Sequence, residues 1–217
     1  MEQTSGARRP RPRIETLADL IFGLSLSIGS IALIASPPTS PDQINGHILA
    51  FAFTFLILIT SWIIYTTFMS VLPVETPSLT FINVVLLLLV ALVPYLLNNV
   101  EVVDQSLTVA QSYAIRDYSS SLFALDLSAI LAVLAAFAHL ISVEEKKLVA
   151  PEAVALFRGG RNRMIIISAI MAVSIAPQFW QMTLFGVPAR LYVWYVPLLS
   201  YWLGRAVRPE TRTYKPR

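Results

Sequence analysis

Six stretches of this chain run apolar for about twenty residues each, and short polar or proline-rich segments divide them. They fall at about 17–36, 48–72, 80–98, 118–142, 163–184 and 187–204, and a bilayer takes roughly 20 helical residues to cross. The first begins in "RIETLADLIFGLSLSIGSIALIAS", where arginines precede an apolar run, as in a secretory signal. Its core is too long for one, a proline follows at once, and five further spans come after it. The pattern therefore predicts an all-α integral membrane protein, a six-helix bundle over residues 1–204 with a basic tail at 205–217. No internal repeat stands out. The outer connections include "SPPTSPDQING" and the longest one, residues 99–117; "PVETP" makes a tight inner turn. In 144–162, "PEAVALF" reads as one or two helical turns ended by Gly159 and Gly160.

Charge placement orients the bundle. Arg8, Arg9, Arg11 and Arg13 precede the first span. Lys146, Lys147, Arg158, Arg161 and Arg163 lie before the fifth, and Arg205, Arg208, Arg212, Lys215 and Arg217 follow the last. Only Arg116 and Arg190 fall on the opposite side, so the positive-inside rule makes both termini cytoplasmic. The same rule accounts for the basic segments without nucleic acid, which is not expected as a partner. Composition agrees: of 217 residues 56% are hydrophobic and 13% charged, with a mean hydropathy of +0.67 and a net charge of +3. There are no cysteines, which excludes disulfides and thiolate chemistry.

Chemistry-bearing residues are sparse. The chain has no nucleotide loop, no His/Glu metal constellation and no serine with an evident base, so no catalytic residue, metal or cofactor is expected, nor an enzyme. His47 reads as a loop histidine and His139 as a helix-end one. The ionisable residues at membrane depth are Asp19 and Asp126, with His139 near an inner end. Pro177 is expected to kink the fifth span, with Gln178 and Gln181 taking up the freed backbone groups. Trp194 and Trp202 suit interfacial or interhelical positions. Nothing resembles the "TVGYG" carbonyl filter, so an ion pathway here needs another selectivity device.

The first helix carries the clearest surface pattern. At ~100° per residue, Leu20, Leu24, Ser27, Ile31 and Ile34 fall within about 80° of one another, and Ile28 borders them. Small residues flank this stripe: Gly23, Ser27 and Ser30 on one side, Ser25, Gly29 and Ala32 on the other, a composition that lets helices approach closely in lipid. Asp19 points about 100° away from the stripe, toward neighbouring helices. By pattern alone the stripe is either a packing face or the wall of a passage.

Three segments carry a family resemblance. "RIETLAD" is similar to the arginine, three residues, Phe-Ser-Asp signature that opens the first helix of the transmembrane protein 175 (endolysosomal-type) potassium channel family. "FTFLILITSWIIYTTF" resembles that family's second helix, with its tryptophan and following histidine pair. "NVVLLLLVALVPYL" resembles its third-span stretch. The likeness covers residues 13 to about 98 and departs at Leu17-Ala18, which replace Phe-Ser, and at Tyr65-Thr66, which replace the histidine pair. It implies a divergent prokaryotic single-repeat member, a homotetramer in the inner or plasma membrane whose first helices surround a pore. Transferred to this sequence, the pore-lining and constriction positions are Leu24, Ser27, Ile28 and Ile31, and the structural anchor network is Arg13, Asp19, Trp62 and Tyr65. The implied function is a potassium-permeable cation channel gated by a hydrophobic constriction, with monovalent cations and the lipid bilayer as its partners and permeant potassium as its only ligand. Two alternatives stand beside it: a proton-coupled or facilitative transporter using Asp126 and His139, and a non-conducting membrane scaffold.

Overall fold

The computed structural model describes residues 13–35, 38, 40–72, 76–101, 107–143 and 151–207. Among them, five long helices come first: α1 (Arg13–Ala35), α2 (Pro41–Met69), α3 (Pro77–Glu101), α4 (Val109–Ser142) and α5 (Pro151–Val173). A short C-terminal assembly follows, made of α6 (Gln178–Gln181), β1 (Thr183–Leu184), β2 (Val187–Pro188), α7 (Ala189–Val193) and α8 (Val196–Val207).

Local chemistry sets the helix starts. Ser40 caps α2 by accepting a hydrogen bond from the Gln43 N–H at 3.3 Å, and Pro41 follows in the first turn, where its missing N–H has no bond to lose. His47 thus sits within α2, not in a loop. Thr108 and Gln111 form a reciprocal capping box at the start of α4. Helix α4 therefore begins well before the predicted position, at Val109 instead of about residue 118.

Helix α4 is the centre of the bundle, with α3 packed on one flank and α5 on another, and α1 packed on α3 and α2. Leu86, Val90 and Val93 of α3 meet Phe123, Leu127, Ile130, Leu134 and Phe137 of α4 in one continuous core. Among lipid tails such a core gains little from leaving its surroundings; it holds by close packing and by interhelical hydrogen bonds. The bond between α4 and α5 is reciprocal. Ser128 Oγ donates to the Ser168 carbonyl at 2.9 Å, and Ser168 Oγ donates to the Ser128 carbonyl at 2.8 Å. Three described helices are long and apolar enough to cross a membrane: Gln43–Met69 within α2, Pro77–Glu101 and Val109–Ser142. In α1 the described apolar run is Thr16–Ile31.

The last third of the chain departs from the predicted pattern. Helix α5 starts at Pro151, taking in Gly159, Gly160 and the basic residues expected in a loop, and it ends at Val173 instead of near residue 184. The sixth stretch is not one helix but a β-strand, α7 and α8 in succession. Pro177 has no N–H to carry α5 further, and Arg190, fully buried, closes the end of the helix. Its Nε donates to the Ser174 carbonyl at 2.8 Å, and its Nη2 to the Ile175 and Ala176 carbonyls at 2.9 and 3.3 Å. Its Nη1 lies 2.7 Å from Asp117 Oδ1, Ser120 Oγ and Ser121 Oγ, so its two N–H bonds are shared among several acceptors of α4. The guanidinium also stands 5.5 Å over the Trp180 ring. The carbonyls left open by Pro177 are thus satisfied by an arginine, while Gln178 and Gln181, expected in that role, are exposed. The β1–β2 hairpin turns at Phe185 and Gly186, whose φ values of 52° and 79° match the left-handed pair of a type I′ turn. Trp194 is an interhelical residue, buried with its ring 4.4 Å from that of Phe123; Trp202 is exposed.

Candidate functional site

Helix α1 has two unlike faces. Ala18, Phe22 and Ser25 recur at helical spacing and are buried against the rest of the chain, with Phe22 3% exposed. The opposite side carries Leu20, Leu24 and Ile31 at 66%, 60% and 61% exposure, flanked by Leu17 and Ile28. Ser27 is exposed on the same side. The Leu24–Ile31 edge is therefore not used in packing within the chain. Ile34 of the predicted stripe lies among the residues whose side chains fall outside the described part.

The small residues divide between these faces. Ser25 is buried and Gly29 faces Phe51 and Pro94, whereas Gly23 has open space around it. Each serine hydroxyl of α1 donates to the carbonyl four residues back: Ser25 to Ile21, Ser27 to Gly23 and Ser30 to Leu26. The Ser27 hydroxyl is thereby held to the helix with its oxygen lone pairs still available on the exposed edge.

Beneath this edge, α1 is tied to its neighbours by polar contacts. Trp62 Nε1 of α2 donates to Asp19 Oδ1 at 2.9 Å. Three residues on along α2, Tyr65 is buried and its hydroxyl accepts from Asn83 Nδ2 of α3 at 3.0 Å. The Tyr65 ring lies 6.0 Å from that of Phe22 and 6.3 Å from that of Phe137. Asp19, Trp62 and Tyr65 therefore all sit at the α1–α2–α3 junction. Arg13 begins α1, and its side chain lies outside the described residues. Asn83 was missed as a partner although it opens the third apolar stretch; an asparagine leading a run of leucines is the signal that could have shown it. Arg190 was read only as an outer charge, yet a lone arginine within "VPARLYVWYV" asks for acceptors at that depth.

Asp126 and His139 are not brought together. They share α4 thirteen positions apart, about 20 Å along the axis. Asp126 is buried, and neither carboxyl oxygen has a hydrogen-bond partner among the described residues. His139 is exposed, with Nδ1 3.1 Å from Arg161 Nη1.

Fold and site together define a helical membrane protein whose first helix offers an unpaired apolar edge. No family model and no curated protein matches the sequence. Among solved structures, the fold matches the crystal structure of a lysosomal potassium-selective channel TMEM175 homolog from Chamaesiphon minutus. The TM-score is 0.59 at 17% sequence identity, and the match covers 88% of this chain and 96% of that one. The chain thus has a TMEM175-like fold over nearly all of its length.

Proposed function

We propose that this chain is a cation channel in which copies assemble around an axis with α1 innermost. The observation that carries the reading is the exposed Leu20–Leu24–Ile31 edge, which is apolar, continuous and turned out of its own bundle. With four copies, Leu24 side chains meet near the axis, and Ile28 or Ile31 forms a second collar. A water column through such collars dewets and closes, with no charged plug needed. A small rotation or tilt of α1 widens them and rehydrates the passage. Ser27 then presents hydroxyl oxygens to a partly dehydrated monovalent cation, potassium by analogy with the matched channel. The contact between Asp19 and Trp62 holds α1 on α2, the one between Tyr65 and Asn83 holds α2 on α3, and together they fix the angle that sets the collar width. The setting is the cell membrane, with the arginine-rich termini inside.

A transporter relay finds less support, because Asp126 and His139 lie about 20 Å apart along one helix. Purified protein in planar bilayers under opposed potassium and sodium gradients tests the proposal. Unitary currents whose reversal potential follows the cations support it. Saturable uptake without unitary currents favours a transporter, and no flux in either assay leaves a scaffold. A stoichiometry measurement in detergent checks the axis, since the collar requires several copies.

A further inference from the structure

A cavity of about 280 Å³ opens between α2, α4, α5 and α8, well away from the α1 edge. That volume is just under the range of ligand pockets, roughly 300 to 1,000 Å³, and suits one chain of a ligand whose remainder lies outside. Ile57, Leu131, Leu134, Met164 and Leu198 give it an apolar interior suited to hydrocarbon. Its charged lining is of one sign: Arg163 and Arg205 both border it, and no acidic side chain is among the described residues that do.

The two arginines are incompletely used. Arg163 Nη1 donates to the Ser200 carbonyl at 3.2 Å, and Arg205 Nη1 to the Tyr201 hydroxyl at 3.1 Å. A guanidinium has five N–H donors, and among the described residues most on each have no acceptor and neither arginine has an acidic partner. Arg163 crosses α8 at Gly204, where a Cβ would collide with its guanidinium; the glycine leaves the space in which this arginine lies. A basic side chain on a membrane helix without a counter-charge calls for an anion. A third observation is independent of charge. Thr60, only 6% exposed, lines the same cavity, and its hydroxyl has no partner among the described residues. The threonine six residues earlier, Thr54, bonds its own helix in the usual way.

We propose that this cavity binds an anionic phospholipid of the inner leaflet, with one acyl chain among Ile57, Leu131 and Leu198, its phosphate between Arg163 and Arg205, and an ester carbonyl accepting from Thr60. The charge placement puts this end of α8 on the cytoplasmic side, where the leaflet carries anionic lipid and the basic residues after Arg205 add attraction. The binding is read without ion flux, so its failure and that of the channel reading are separate results.

The test uses the full chain in detergent, incubated with dioleoylphosphatidylglycerol or dioleoylphosphatidylcholine and read by native mass spectrometry. Two arginines predict a preference of roughly tenfold or more for the phosphatidylglycerol. Arg163→Gln with Arg205→Gln abolishes that preference, whereas Arg158→Gln, outside the cavity, keeps it. Thr60→Val, nearly the same shape, lowers retention about threefold while the preference persists. If the double variant does not fold, Arg205→Gln alone, in the last turn of α8, gives a partial loss. Equal retention of both lipids by the unaltered protein overturns the proposal, and so does a preference that Arg205→Gln leaves undiminished or that falls as far with Arg158→Gln.

Discussion

Trp62 Nε1 donates a 2.9 Å hydrogen bond to Asp19 Oδ1, joining α2 to α1 across 43 residues of chain. Trp62→Phe retains an aromatic ring and removes the donor, so it isolates this bond. The expected loss is about 1 kcal/mol of stability, read as a lower thermal midpoint in detergent. Asp19→Ala removes the acceptor from a partly buried indole N–H and reduces assembly, measured by the oligomer fraction on size exclusion. Normal oligomers with altered ion selectivity assign Asp19 to the ion path instead of to an anchoring role.

Leu24→Ala removes most of one collar in each copy. Open-channel conductance or open probability rises in planar bilayers, because a wider ring stays wetted. Leu125→Ala, at another exposed leucine, on α4, serves as the control and leaves currents unchanged. Equal effects at both positions, or none at Leu24, remove the collar from the mechanism.

What the sequence made legible follows from the range of the forces involved. Helices α2, α3 and α4 were readable because an unbroken apolar run has few alternatives in lipid. The α1 edge was readable because the wheel depends only on local spacing. Helix α5 was misplaced because Gly159, Gly160 and three arginines look like a loop. Each glycine costs a helix ~1 kcal/mol, and packing against α4 overrides that. The break after Val173 was read from Pro177, which has no N–H to continue the helix onto the Val173 carbonyl. The residue that caps the open end, Arg190, was not found: it lies 16 residues beyond Ser174, and its other acceptors are on α4 some 70 residues earlier. Such distant pairs, like Asn83 with Tyr65, leave no local periodicity to find.

The Ser128–Ser168 pair predicts a measurable coupling between α4 and α5. Each hydroxyl donates to the other's backbone carbonyl, so either single change to alanine breaks one of the two bonds. Each single change costs about 0.6 kcal/mol, the average for interhelical hydrogen bonds in lipid, and a double-mutant cycle with Ser128→Ala and Ser168→Ala reads the direct Oγ–Oγ contact at 3.0 Å as a loss that departs from additivity. Strict additivity means that the two bonds do not cooperate.

Arg190 predicts the largest loss of stability. Arg190→Met fills much of the same space and abandons the Ser174, Ile175 and Ala176 carbonyls together with the α4 hydroxyls. Leaving several buried acceptors unmet costs about 3 kcal/mol or more, since each orphaned group contributes ~1–3 kcal/mol. Arg190→Lys keeps the charge but cannot reach both helices from one ammonium, so it recovers only a small part. Asp117→Asn is milder, because the Asp117 side chain is 36% exposed and the amide oxygen that replaces its carboxylate still accepts from the guanidinium. Thermal unfolding in detergent then ranks Asp117→Asn as the most stable of the three variants, Arg190→Lys next and Arg190→Met last. A lysine variant as stable as the unaltered protein shows that charge, not the planar fork, closes the end of α5.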